Sequence, residues 1–369
     1  MGISSTRYLD KLASLRFFAA FLVVIYHLGS EIGNQQRTLA AILTPIADYG
    51  FVGVSIFFVL SGFVISHAND RWKGWDIYLA GRVTRIYPPH LIVTFALMMP
   101  DVILLITQGG ADGWLKLLSN FSLTQAWSSN PGYFRSLNLV TWSLSVEMSF
   151  YVAFIALRRL GDRWLLALTA IAYLVLLVIT LYLRHIHHDR WTFYVYWQLY
   201  INPVARLPEF LVGMSIYRLY RVGKLPHLWV PRFNFLLTLA ALMAALYLAG
   251  TYGGMGGTFA ELLDYSVVPL PFIVLMMIAL LDERSNVWMH NRNLVLLGES
   301  SFALYLLHRL LIGYLNEPLH NAGLGSNWLM LLALMIFIAV PVATSVLFYR
   351  FIELPLTRAL RYHLVPRNV

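Results

Sequence analysis

The chain has no cysteine among its 369 residues, and charged residues are scarce. Without cysteine, it can form neither a disulfide nor a zinc–thiolate site, and it has no cysteine nucleophile. Charged residues make up 12% of the chain and hydrophobic residues 59%, whereas a soluble domain has about 25% charged residues. Together with a mean hydropathy of +0.66, these values exclude an ordinary soluble protein and predict an all-α integral membrane protein.

Several common catalytic motifs are also absent. The sequence contains no G-x-S-x-G, no Walker loop and no H-E-x-x-H, which excludes the usual hydrolases, nucleotidases and zinc metalloproteases. The net charge of +9 does not indicate nucleic-acid binding, because the basic residues lie at the ends of apolar runs. The first apolar run is too long for a cleavable signal peptide and lacks a small-residue cleavage site.

Long apolar runs predict a bundle of about ten transmembrane helices. With the N-terminus on the inside, the inner segments carry 20 of the 27 Lys and Arg residues, so we expect both termini to be cytoplasmic. We divide the chain into a transmembrane domain, residues 1–350, and a short basic cytoplasmic tail, residues 351–369. The predicted spans are 10–30, 51–68, 87–108, 138–157, 164–184, 204–221, 233–250, 265–281, 294–316 and 328–350.

The first span contains two ionisable residues, Arg16 and His27. They are eleven positions apart in the sequence, so on a helix they share one face and stand roughly 16 Å apart along the axis. Ionisable groups at membrane depth are costly and usually face a cavity or a site. This spacing suits a cofactor that carries phosphates at one end of a long arm, as coenzyme A does. His27 could then act as a general base, and the alternative is a histidine that is hydrogen-bonded inside the bundle.

Three further segments contain polar residues that could belong to the same site. Arg82 and Arg85 share a helical face and could bind phosphates, although anchoring at the membrane surface is the favoured explanation for these two residues taken alone. Glu147, with Ser143 one turn before it, could orient His27 or form a structural ion pair with Arg206. His308 is predicted at the depth of His27, as a second base or in a structural or acceptor-side role. The tract HIHH at 185–188 is more typical of a solvated loop than of a metal site.

These motifs, in their order, resemble those of the acyltransferase 3 family of bacterial integral-membrane acyltransferases. Two positions depart from the family pattern: Ser55 stands where Asp is common, and Met148 where Trp is frequent. No SGNH-hydrolase-like segment follows the membrane domain in this sequence, so we expect acyl transfer to be completed within the membrane. The matching segments are LASLRFFAAFLVVIYH, FVGVSIFFVLSGFVIS, RVTRIYPPH, WSLSVEMSFY, RLPEFLVGM, GESSFALYLLH and YRFIELPL.

The resemblance implies an O-acyltransferase of the bacterial inner membrane. Its donor would be cytoplasmic acetyl-CoA, and its acceptor a hydroxyl of a carbohydrate such as an envelope polysaccharide, a lipopolysaccharide or an exported glycan. The family's positions correspond here to Arg16, Arg82 and Arg85 for the donor, and to His27 and Glu147 for catalysis. No metal is required. We assign the acceptor side to four further residues, which are His308, Ser143, Trp191 and Tyr194.

Three alternatives remain open at this point. The chain could relay acyl groups to a separate periplasmic transferase. It could be a proton-coupled transporter that uses His27, Glu147 and His308 as a relay, although no inverted repeat is detectable. It could also acylate a lipid, a peptide or a small molecule such as a macrolide.

Overall fold

The computed structural model describes residues 4–33, 47–70, 74–187, 192–225, 234–252, 267–282, 284–321 and 327–364. Within these ranges the regular structure is helical and no β-strand occurs, which confirms the all-α prediction. The helices are α1 Ser4–Gly33, α2 Val52–Asn69, α3 Trp75–Leu91, α4 Met99–Gln108, α5 Gly110–Phe121, α6 Pro131–Phe134, α7 Trp142–Leu157, α8 Asp162–His187, α9 Phe193–Tyr196, α10 Pro203–Arg221, α11 Asn234–Tyr252, α12 Pro269–Leu281, α13 Arg292–Glu299, α14 Ser301–Asn321, α15 Asn327–Phe348 and α16 Leu354–Leu364.

Five of the described helical segments are long and apolar enough to cross a membrane, or up to seven if each of two bent pairs is one span. Helix α8 shows the bilayer-facing character most clearly, because side chains such as Leu174 and Val178 are 58% and 57% exposed. A continuous exposed apolar surface suits lipid rather than water. The five segments are Tyr8–Gly29, Val52–Asn69, Leu139–Leu157, Asp162–Leu183 and Leu331–His363.

Two predicted spans are bent where the sequence analysis expects continuous helices. The predicted span 87–108 begins earlier, in α3, and breaks at Met98, where the helix axis turns by 68°. Pro100, in the first turn of α4, lacks a backbone N–H and restricts the preceding residue, so the helix does not continue straight. The predicted span 294–316 breaks at Ser300, with a bend of 63° between α13 and α14.

Helix α1 lies against several other helices and is anchored at its N-terminal end. It packs against α2, α13 and α14. The buried ammonium group of Lys11 donates to the backbone oxygens of Asp282 and Ser285 at 2.7 Å each, just beyond the end of α12. Since carbonyls at a helix end lack intrahelical partners, these bonds satisfy both the buried cation and the backbone. The position of α1, which carries Arg16 and His27, is therefore fixed by the core.

Helices α2 and α10 pack closely enough that glycine is required at their contact. A Cβ on Gly62 would collide with the backbone oxygen of Phe210, and one on Gly213 with that of Val59. Small residues of this kind allow membrane helices to approach backbone to backbone. The FVGVSIFFVLSGFVIS segment therefore serves packing through Gly62, while the neighbouring Ser61 faces a cavity.

A buried ion pair lies at the same helix contact. Nη2 of Arg206 is 3.1 Å from a carboxylate oxygen of Glu209 and donates to Oγ of Ser55 at 2.9 Å. Both charged side chains are fully buried. Ser55, at the position where the family that this sequence resembles commonly has Asp, therefore contacts Arg206 through its hydroxyl group. In the structure, the carboxylate that lies within ion-pair distance of Arg206 is instead that of Glu209, on the same helix.

The segment predicted as a basic tail continues the helical structure in its described part. A π-helical turn, Tyr349–Glu353, connects α15 to α16, and α16 packs against α3. Glu353 is buried within electrostatic range of Arg85. Residues 351–364 therefore support the helix that carries two of the predicted donor-binding arginines, and residues 365–369 lie outside the described residues.

Candidate active site

Five helices, α1, α2, α3, α7 and α14, enclose a cavity of about 820 Å³, including its mouth. Arg16, Arg82 and Arg85 all line it, together with Glu147 and Ser143. The structure thus brings all three arginines proposed for the donor into one cavity, which we call the arginine cavity.

The arginine cavity has an excess of positive charge. Glu147 is the single carboxylate among its described lining residues, against three guanidinium groups. Its carboxylate accepts hydrogen bonds from Ser61 at 3.1 Å and from Tyr151 at 2.5 Å. Because like charges at membrane depth repel strongly, such a cluster favours an anionic ligand.

A second cavity, of about 1110 Å³ including its mouth, lies next to His27. Its lining combines this histidine with two cations, Arg135 and Arg309. We call it the histidine cavity. Eight of the described aromatic residues line the cavity, and they are Tyr26, Phe51, Phe134, Trp142, Phe193, Tyr196, Tyr200 and Tyr305.

One aromatic wall of this cavity is formed by α9 and the π-helical turn that follows it. The Thr192 side chain accepts from the backbone N–H of Val195 and so caps α9. The indole of Trp197 donates to the backbone oxygen of Ala126 at 2.9 Å, and Tyr200 donates to that of Phe51 at 3.2 Å. These bonds fix the rings in a preformed surface.

The two cavities share Val54 and Tyr305 as lining residues. The hydroxyl of Tyr305 lies 2.7 Å from that of Ser143 and donates to the backbone oxygen of Val140 at 3.1 Å. A layer of side chains, rather than a whole helix, therefore separates the arginines from His27. Ser143 lies at this boundary instead of at an acceptor surface.

His27 is in direct contact with His308. Nδ1 of His308 lies 3.1 Å from the backbone oxygen of Leu304, which can only accept, so this nitrogen carries the proton. Nε2 of His308 then accepts from Nδ1–H of His27 at 3.1 Å, and the same N–H faces the backbone oxygen of Val23 at 3.0 Å. In its neutral form, His27 is left with Nε2 as the basic nitrogen.

This arrangement changes two of the roles predicted from sequence. The group that contacts Nδ1 of His27 is His308, and Glu147 forms its hydrogen bonds inside the arginine cavity. His308 is fully buried and both of its ring nitrogens have protein partners, so it does not offer an acceptor contact. The contact between His27 and His308 results from the packing of α1 against α14. It could not be predicted from the spacing of residues along the sequence.

The two aromatic residues predicted to bind the acceptor are Trp191 and Tyr194. Trp191 lies outside the described residues. Tyr194 is 50% exposed and stacks on Trp197, whereas its neighbours Phe193 and Tyr196 line the histidine cavity. The segment 185–203 therefore does contribute to this cavity, but on the other side of the short helix α9. The described part of the HIHH tract, 185–187, belongs to α8 rather than to a loop.

Sequence reasoning missed several lining residues that have polar groups, among them Tyr26, Tyr305 and Arg135. Tyr26 precedes His27, and Tyr305 lies in the LYLLH segment that was used only for its histidine. Arg135 lies between α6 and α7, and no motif of the sequence marks it. Among the described residues, no group of three His, Asp or Glu side chains is placed to hold a metal ion.

A family model described as "Acyltransferase domain" matches residues 9–350. The chain belongs to this family. The family and the apolar helices together make it a multi-pass membrane acyltransferase. No solved structure gave a significant match.

Several curated proteins are similar to this acyltransferase along most of its length. It is 27% identical to "Acyltransferase MdmB" of Streptomyces mycarofaciens, over 83% of this chain and 79% of MdmB. It is 26% identical to "Exopolysaccharide production protein ExoZ" of Rhizobium meliloti (strain 1021), over 84% of this chain and 90% of ExoZ. It is 23% identical to "O-acetyltransferase OatA" of Staphylococcus aureus (strain NCTC 8325 / PS 47), over 96% of this chain and 58% of OatA.

Proposed function

We propose that this protein transfers an acetyl group from cytoplasmic acetyl-CoA to a hydroxyl of a carbohydrate on the outer side of a bacterial inner membrane. The observation that carries the proposal is the pair of adjoining cavities, one lined by three arginines and the other by His27, which meet at Tyr305 and Val54. A charged donor and a polar acceptor can thus approach one another from opposite sides.

Arg16, Arg82 and Arg85 bind the phosphates of the donor. Guanidinium groups suit this role because they donate paired hydrogen bonds to phosphate oxygens. Apolar side chains such as Phe57, Leu60 and Val64 line the same cavity and suit the pantetheine arm. Glu147, between Ser61 and Tyr151, offsets part of the arginine charge and positions the donor site rather than His27.

His27 acts as the general base in a direct transfer. Its Nε2 takes the proton of the acceptor hydroxyl while the hydroxyl oxygen bonds to the thioester carbonyl carbon. The carbon–sulfur bond then breaks, and the coenzyme A thiolate leaves and takes up the proton from His27. Nε2 of His308 accepts from Nδ1–H of His27 throughout, which holds the ring and stabilises the imidazolium that forms. His27 thus ends the reaction in its starting protonation state, and the products are the acetyl ester and free coenzyme A.

The topology proposed from the sequence fits the helix inventory. The described residues contain five helices that can span a membrane singly and two bent pairs that can each form one span. Two shorter apolar helices, Phe235–Leu248 and Pro269–Leu281, bring the number of candidate spans to nine. Helix α10, with its buried Arg206–Glu209 pair, makes ten. An even number agrees with two cytoplasmic termini and with the charge asymmetry of the loops. This orientation opens the arginine cavity to the cytoplasm and the histidine cavity to the outside.

Two observations support the proposal that the transferred group is acetyl and that the acceptor is a carbohydrate. The aromatic lining of the histidine cavity offers flat apolar surfaces on which sugar rings can stack. The names of two relatives, an O-acetyltransferase and an exopolysaccharide production protein, point the same way.

The proposal predicts that the purified protein by itself forms an ester. The full chain in detergent or nanodiscs is mixed with radiolabelled acetyl-CoA and an acceptor glycan, and the labelled, alkali-labile product is measured together with free coenzyme A. We expect the two products in equal amounts. Release of coenzyme A without an ester, or movement of acetyl groups across proteoliposomes without an ester, contradicts the proposal and favours a relay to a separate transferase.

A further inference from the structure

Two cations in the histidine cavity have no role in the chemistry proposed above. Arg135 follows the short helix α6, and Arg309 lies on α14 directly after His308. The central carbon of the Arg135 guanidinium lies over the ring of Phe193, 5.5 Å from the ring centroid. A guanidinium has five N–H donors, and a cation–π contact of this kind leaves donors that can bind an oxygen anion.

No carboxylate among the described lining residues of the cavity offsets the charge of Arg135. Neither Asp nor Glu occurs among these lining residues. Asp48 lies within electrostatic range of Tyr26 at the cavity wall, and in the described part of the chain no carboxylate forms an ion pair with Arg135.

Lys116, the nearby basic residue of the same outer region, differs from Arg135 in this respect. Its ammonium group lies 2.6 Å from a carboxylate oxygen of Asp112, whose other oxygen accepts from Tyr133 at 2.8 Å. These two hydrogen bonds hold the pKa of Asp112 below its ordinary value, so this carboxylate stays ionised at neutral pH. Lys116 is thus neutralised within the protein, whereas Arg135 faces the cavity.

The backbone around Arg135 is held in place by a network of side chains. The Asn130 side chain accepts from the backbone N–H of Gly132 at 2.8 Å and caps α6. Asn120 donates to Oγ of Ser136 at 2.7 Å, and Asn138 donates to the backbone oxygen of Leu306 at 3.0 Å. Bonds on both sides of Arg135 therefore fix its position relative to α14, as expected for a preformed binding group.

We propose that the acceptor is an anionic sugar and that Arg135 binds its negative group while the aromatic rings bind the sugar face. This inference rests on the proposed function and adds the chemical class of the acceptor. The bound group is a carboxylate, as in a uronic acid, or a phosphate, as in a sugar phosphate; the two share the oxygen-anion chemistry that a guanidinium recognises. Arg309 adds to the positive potential of the same cavity.

Pairs of acceptors that differ only in charge test this inference. The purified protein is given acetyl-CoA with 4-nitrophenyl β-D-glucuronide or the matching glucoside, and with glucose 1-phosphate or methyl α-D-glucoside. We expect kcat/KM to be at least about tenfold higher for a charged member than for its neutral partner, since a charge-assisted hydrogen bond is lost in the neutral sugar. The preference should weaken as salt is added, because Arg135 is exposed. A preference within the glucuronide pair indicates that the site binds a carboxylate, and a preference within the glucose 1-phosphate pair indicates that it binds a phosphate.

Two variants assign the preference to one residue. Arg135→Gln should bring the charged-to-neutral ratio close to one, and Arg135→Lys should keep part of it. Lys116→Gln removes the same charge from the same outer region but not from the cavity, and should keep the wild-type ratio. Equal rates for charged and neutral sugars, or an Arg135→Gln ratio like that of the wild type, overturn the inference while the acyltransferase proposal stands. No ester on any of the four sugars counts against both.

Discussion

Replacement of His27 by alanine is expected to lower acyl transfer by about 10²- to 10⁴-fold, the usual contribution of a general base. The affinity for acetyl-CoA should stay close to that of the wild type, because His27 lines the histidine cavity and not the cavity that contains the three arginines. Labelled ester formation gives the rate, and equilibrium binding of acetyl-CoA gives the affinity. A folded His27→Ala protein that transfers acetyl groups at the wild-type rate contradicts the mechanism.

His308 offers a matched pair of variants for the same chemistry. In His308→Gln an amide oxygen can take the place of Nε2 and accept from Nδ1–H of His27, whereas His308→Leu has no acceptor at all. We therefore expect kcat to fall more than tenfold further in the leucine variant than in the glutamine variant, with little change in acetyl-CoA binding. Equal rates in the two variants would show that the histidine contact is only a packing contact.

Replacement of Glu209 by glutamine is expected to destabilise the protein by about 3–5 kcal/mol, because it removes the carboxylate that lies 3.1 Å from the buried guanidinium of Arg206. The rings of Tyr200 and Phe58, 4.9 and 5.3 Å from the guanidinium carbon, cannot replace a carboxylate. The melting temperature in detergent should fall by several degrees or more. A Glu209→Gln protein that melts like the wild type contradicts this account of the α2–α10 contact.

A second substitution should reverse this loss. Ser55 already contacts Nη2 of Arg206, so Ser55→Asp introduces a carboxylate at the position where the family commonly has one. We expect the double variant Ser55→Asp, Glu209→Gln to melt closer to the wild type than Glu209→Gln does. Ser55→Asp alone should not stabilise the protein, because Arg206 would then face two carboxylates. No recovery in the double variant would indicate that Glu209 has a separate partner.

Residues that share a helical face could be predicted from the sequence, whereas contacts between residues on different helices could not. Arg16 and His27 lie on one continuous helix, and Arg82 and Arg85 on another, because a helix repeats every 3.6 residues and the spacing alone determines the shared face. The contact of His27 with His308 joins residues 281 positions apart. No local pattern encodes such a contact, so Glu147 was given the orienting role only because it is a carboxylate at a suitable depth.

The bends and the histidine cavity escaped prediction for related reasons. Pro100 indicates a break, but hydropathy averaged over a window passes across it and returns one long span. Arg135 and Phe193 come from short, irregular elements on separate segments, and only tertiary structure places a cation against that ring. The wall of the histidine cavity is largely made from such elements, so composition predicts its aromatic character but not which rings face inward.

The central claim is that donor binding and chemistry occupy the two halves of α1, and one measurement tests it directly. Acetyl-CoA binding and acetyl transfer are measured side by side for wild type, Arg16→Ala, His27→Ala and, as a control for charge, the exposed Arg292→Ala. The account predicts that Arg16→Ala binds acetyl-CoA at least about tenfold more weakly, that His27→Ala binds it normally but fails to transfer, and that Arg292→Ala does both normally. Normal binding by Arg16→Ala, or loss of binding in His27→Ala, would contradict it.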